Sequence, residues 1–147
     1  FRPRVLFYAV TWLLIGVAMV VHLAMRERLE LNVVHDRNPQ YVLESDGSIR
    51  NGYTLRILNM VPAPRRIELS LLGLDDGASM RIPELAKQGA RTFIIEAAPD
   101  VATTVKVFVT SKQSTAAISE FLFAIEDAGH SDRATYRAAF NTPGDAK

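Results

Sequence analysis

The sequence predicts one membrane-spanning helix followed by an immunoglobulin-like antiparallel β-sandwich of about seven strands. Three observations carry that expectation: an uncharged apolar run near the start, alternation of apolar and polar residues through most of the remainder, and turn-forming residues between the alternating stretches. The expected units are residues 1–28 as the helix with its flanks, 29–130 as the sandwich, and 131–147 as a frayed tail.

The helix comes first. Val5 to Met25 reads VLFYAVTWLLIGVAMVVHLAM, without one formal charge. Some 21 residues at ~1.5 Å rise reach about 31 Å, the thickness of a bilayer's hydrocarbon core. Arg2 and Arg4 precede the run and Arg26 and Arg28 follow it, marking both ends with side chains that can snorkel to headgroups, while Tyr8 suits an interface. Two arginines on each side leave the positive-inside rule nothing to choose between. The run is longer than a signal-peptide core, and no A-x-A-like site precedes Arg26. Because the first residue is Phe1, a processed or truncated piece of a longer polypeptide is expected.

After Arg28 a period of two takes over, placing one face of each strand toward a core. Leu29, Leu31 and Val33 share one face, as do Leu55 and Ile57; Ile67, Leu69 and Leu71; Met80 and Ile82; Phe93 and Ile95; Val105, Val107 and Val109; and Phe121, Phe123 and Ile125. Turn chemistry separates them at Asn38-Pro39, Asp46-Gly47-Ser48, Asn51-Gly52, Pro62-Ala63-Pro64, Asp75-Asp76-Gly77, Lys87-Gln88-Gly89 and Pro99-Asp100. The disulfide and core tryptophan of antibody domains are missing, since there is no cysteine and the only tryptophan, Trp12, lies in the helix. From Asp132 onward the alternation fades.

Composition narrows the chemistry. Of 147 residues, 17 are basic and 16 acidic, a net charge of +1, so no dominant field steers nucleic acid to this chain. The absence of cysteine excludes thiolate zinc, iron–sulfur ligation and cysteine nucleophiles within it. There is no G-x-S-x-G elbow, H-E-x-x-H, P-loop or dinucleotide fingerprint, and Asp75-Asp76 and Glu126-Asp127 read as solvated turn or strand-end charges. No catalytic residue is expected. On residues alone, a membrane-anchored interaction domain is the natural reading.

The stretch Asp46-Gly47-Ser48-Ile49-Arg50-Asn51-Gly52-Tyr53-Thr54-Leu55-Arg56-Ile57-Leu58-Asn59, preceded by Asp36-Arg37-Asn38-Pro39, resembles the carboxy-terminal region of the FixG/RdxA/CcoG family of accessory proteins for cbb3-type cytochrome c oxidase. The resemblance extends over essentially the whole chain. It implies a multi-spanning bacterial inner-membrane polyferredoxin with two [4Fe-4S] clusters that reduces copper for the oxidase, and a terminal domain in the periplasm. Implied partners are the lipid bilayer, the upstream parts of the same protein, oxidase subunits and copper-handling proteins. The cluster cysteines would lie upstream, so no cofactor is expected on this chain.

Copper gives the histidines a hearing. Met19, His22 and Met25 offer thioether and imidazole, a set suited to Cu(I), yet at i, i+3, i+6 they drift about 60° per step around one helix. An ionisable group inside a membrane is a functional candidate all the same. His35 beside Asp36 and His130 near Asp132 have no second ligand at metal spacing. Arg50 and Tyr53 are candidates for partner docking; the competing expectation is that Asn51-Gly52 forms a tight hairpin turn with Tyr53 packed at the following strand.

Overall fold

The computed structural model describes residues 2–26, 28–85, 89–112, 118–129 and 132–143. The chain opens with α1, Pro3–Ala24, started by a proline at its first turn, where the missing N–H costs nothing. No residue of α1 is buried, and the helix is long and apolar enough to cross a membrane.

Nine strands follow among the described residues: β1 Leu29–His35, β2 Val42–Leu43, β3 Ile49–Asn59, β4 Arg65–Leu72, β5 Ser79–Arg81, β6 Thr92–Ala97, β7 Ala102–Ser111, β8 Ile118–Asp127 and β9 Arg133–Asn141. One sheet has the order β1-β3-β7-β5, with β2 pairing the start of β3, and the other the order β6-β4-β8-β9; every pairing is antiparallel. The two sheets enclose one core, and β1 lies along β9 where their edges meet.

All seven alternating sets named from the sequence point inward. Tyr53, Leu55, Ile57, Ile67, Leu69, Met80, Val107, Phe123 and Ile125 are fully buried, and the other named apolar residues are no more than 7% exposed. The hydrophobic term behind the fold is the removal of these side chains from water, about 1.5–3 kcal/mol for each large one.

Two expectations fail. The residues from Asp132 do not fray: Arg133–Asn141 is β9, paired with β8 from Glu126↔Arg133 to Ile118↔Asn141. Its inward positions are Ala134, Tyr136, Ala138 and Phe140, but Ala139 stands on the outer side, so alanine blurs the alternation. Short β2 is the other strand beyond the seven. Asn51-Gly52 is no hairpin turn, for both residues lie within β3, opposite Val109 and Phe108 of β7. Among the described residues positive φ occurs instead at Gly47 and Gly73, in the turns that follow β2 and β4, and at Asp100. Lys87-Gln88 and His130 fall outside the described residues.

Candidate interaction surface

β3 carries the residues that the sequence singled out, and alternation sends neighbours to opposite sides. Tyr53 points inward. Its ring makes edge contacts with Phe121 and Phe123, at centroid distances of 5.6 and 5.3 Å, and its hydroxyl donates to the Ala139 carbonyl of β9 at 2.6 Å. That bond ties the two sheets together, and burial pushes the phenol well above its usual titration range. A side chain with no exposed surface cannot meet a partner, so docking through Tyr53 is overturned.

Asn51 is buried beside it and works like a missing rung between the sheets. Its side-chain amide donates to the Asn141 carbonyl at 2.9 Å and accepts from the Asn141 N–H at 3.0 Å. His35 Nε2 lies 3.2 Å from the same Asn51 oxygen, and its ring stacks at 4.8 Å on Tyr53. His35 is thereby a packing residue; among the described residues no group of three His, Cys, Asp or Glu can hold a metal ion.

The outer side of β3 differs. Arg50 is one-third exposed, pairs with Glu44 at 2.8 Å and lies 5.2 Å over the ring of Phe108. Arg81, exposed on β5, sits opposite Phe108 in register. Gly52 leaves room for the Asp36 carboxylate beside the ring. A Cβ there would meet the carboxylate of Asp36 and stand 3.5 Å from Phe108. Asp36 is held by Lys106, whose ammonium reaches its two oxygens at 2.6 and 2.5 Å. Arg56 is exposed two alternating positions beyond Gly52 on the same face, in register with Asn32 and Thr104. The outcome is a patch centred on Phe108, with Arg50, Arg81 and Lys106 against Asp36 and Glu44, and with Arg56 beyond it on the same face. Arg50 was legible in the sequence; Phe108 and Arg81 were not, since strand neighbours cannot be read from alternation.

Met19 in α1 and Met25 just after it are exposed, and His22 occupies the last turn of the helix. One helix brings these three donors to no common point.

The family comparison settles where this architecture belongs. Residues 19–143 match the family described as "IG-like fold at C-terminal of FixG, putative oxidoreductase". The chain belongs to the FixG family. Nitrogen fixation protein FixG of Rhizobium meliloti (strain 1021) is 46% identical over 99% of this chain and 28% of its own length. Protein RdxA of Cereibacter sphaeroides is 33% identical over 96% of this chain and 30% of its own. This chain thus spans less than a third of the curated relatives it matches. A crystal structure of a FixG-related protein from Vibrio parahaemolyticus shares the fold, with a TM-score of 0.64 at 19% identity, covering 79% of this chain and 97% of that one. Cluster iron takes cysteine thiolates, and this FixG-type domain has no cysteine, so its residues do not fit an iron–sulfur cluster.

Proposed function

We propose that this chain is the membrane-anchored, periplasmic terminal domain of a polyferredoxin-type accessory protein for cbb3-type cytochrome c oxidase, and that it serves as a docking scaffold. In this reading α1 crosses the inner membrane, cluster chemistry and copper reduction reside in the upstream part of the same polypeptide, and the sandwich orients that part or engages the oxidase. Copper is cargo of the whole protein. A path for it through His22 with Met19 or Met25 requires donors from a neighbouring helix, because α1 alone does not bring the three together.

The observation that carries the docking role is the outer patch, where Arg50 stacked on Phe108 and flanked by Arg81 forms a partly exposed anchor of the kind enriched at interface hot spots. Its excess positive charge suits a partner surface bearing carboxylates. The test is charge reversal in the full-length protein: Arg50→Glu with Arg81→Glu. Lower assembly of the oxidase in the membrane, at unchanged level of the accessory protein, is expected. Normal assembly would remove this patch from the docking role.

A further inference from the structure

The two ends of the sandwich differ in chemistry, and chain connectivity says which end is close to the membrane. Only residues 25–28 separate α1 from β1, so Leu29 lies within about 18 Å of the end of the helix. At that same end, the Met60 N–H donates to the Arg28 carbonyl at 3.0 Å, which brings the β3–β4 loop beside the entry of β1.

Asn59, the last residue of β3 and fully buried, organises this end. Its amide donates to the Ala63 carbonyl at 2.8 Å and, at 3.4 Å, to the Ala97 carbonyl, while its side-chain oxygen accepts from the Val61 N–H at 3.1 Å. Its own carbonyl accepts from the Asp100 N–H at 3.0 Å, and Asp100 takes a φ of 53° to make that turn. One side chain and its backbone thus fix both the β3–β4 and the β6–β7 loops. Apart from the exposed Asp100, the side chains these loops expose are apolar: Pro62, Ala63 and Pro64 are open to solvent, and Val101 is 58% exposed.

Met60 to Pro64 contains no charge, and 98–101 contains only Asp100. In the third turn at this end, Asp127 and Asp132 are both engaged by Arg65, at 3.2 and 2.7 Å. The opposite end carries Glu44, Asp46, Asp75 and Asp76 in its turns, Glu44 paired with Arg50 and Asp76 lying 3.8 Å from Arg91, with hydrogen bonds from Ser48 holding the Asp46 carboxyl below the usual carboxylate range. An acidic end is repelled by anionic headgroups, whereas a small apolar rim next to an arginine-flanked anchor is drawn to them.

We infer that the rim made by Met60–Pro64 and Pro99–Val101 rests in the lipid headgroup layer, so that the sandwich stands on the membrane with the Arg50–Phe108 face turned sideways. This inference rests on α1 being a membrane anchor. Each exposed rim residue contributes little by itself. The short tether raises the local concentration of the rim at the surface, so a weak contact is enough to be populated.

The absence of cysteine makes the test direct. Single variants Ala63→Cys, Val101→Cys, Asp76→Cys and Leu14→Cys of the full chain would each carry a nitroxide, in vesicles of phosphatidylcholine and phosphatidylglycerol. Accessibility to oxygen relative to a water-soluble nickel chelate should be about threefold higher at 63 and 101 than at 76, as for side chains seated about 5–10 Å into the headgroup boundary. Equal, water-like values at 63, 101 and 76, with a label at 14 buried in lipid, would overturn the inference and leave the anchor intact. A water-like label at 14 would overturn the anchor reading and this inference with it. Spin–spin broadening at 63 that vanishes on dilution with unlabelled chain would show the rim covered by a second copy, and would likewise overturn it.

Discussion

On the inner side of β3, Asn51, Tyr53 and Asn59 spend their polar atoms on the domain itself, closing β3 to β9 and stitching the loops at one end. On the outer side, Arg50 and Arg56 keep part of their donor capacity in solvent, and Gly52 leaves room for a carboxylate. One strand therefore specifies the sandwich with one face and offers a surface with the other. Proximity in sequence says little about shared purpose here, since Arg50 and Tyr53 lie on opposite sides of the same sheet.

The contrast can be broken at several strengths. Tyr53→Ala should be the most damaging change, costing about 3–5 kcal/mol in chemical denaturation, because it empties a fully buried aromatic site and unpairs the Ala139 carbonyl. Asn51→Ala should cost about 1–3 kcal/mol, since the half-buried Asn141 N–H and carbonyl lose their partner on a fully buried side chain. If either variant melted like the parent, the inner face would not be what joins the sheets. Gly52→Ala should cost up to about 1 kcal/mol by turning the Asp36 carboxylate away from Lys106. That cost should shrink when Asp36 is also alanine, a coupling a double-mutant cycle can read.

Alkali sharpens the same contrast. Burial raises the folded pKa of Tyr53 above its unfolded value of 10.0, so its contribution is complete below pH 10 and is lost as the pH climbs toward the folded value. Unfolding free energy should fall above pH 10 by up to about 1.4 kcal/mol per pH unit from this group, and Tyr53→Phe should remove that slope. The smallest effect belongs to the outer face: Arg50→Glu should change stability by no more than about 1 kcal/mol, because its pair with Glu44 is partly exposed.

What the sequence made legible follows the same division. Inward strand faces were readable because burial imposes a period of two on residues such as Val105, Val107 and Val109. β9 was hidden because alanines stand on both of its sides, and the core there is completed by Phe140 and Tyr136. Asn51-Gly52 has strong turn chemistry, but the asparagine bonds a backbone 90 residues away and the glycine makes space for the Asp36 carboxylate. Such roles depend on which strands are neighbours, and so does the patch, assembled from β3, β5 and β7.

The most direct measurement compares Arg50→Glu with Tyr53→Phe in parallel, recording thermal stability and capture of detergent-solubilised cbb3-type oxidase by the anchored chain. If β3 separates folding from recognition, Arg50→Glu will melt near the parent and capture less oxidase, while Tyr53→Phe will melt lower and, where folded, capture it normally. An Arg50→Glu domain that keeps full capture, or a folded Tyr53→Phe domain that loses it, would contradict that separation.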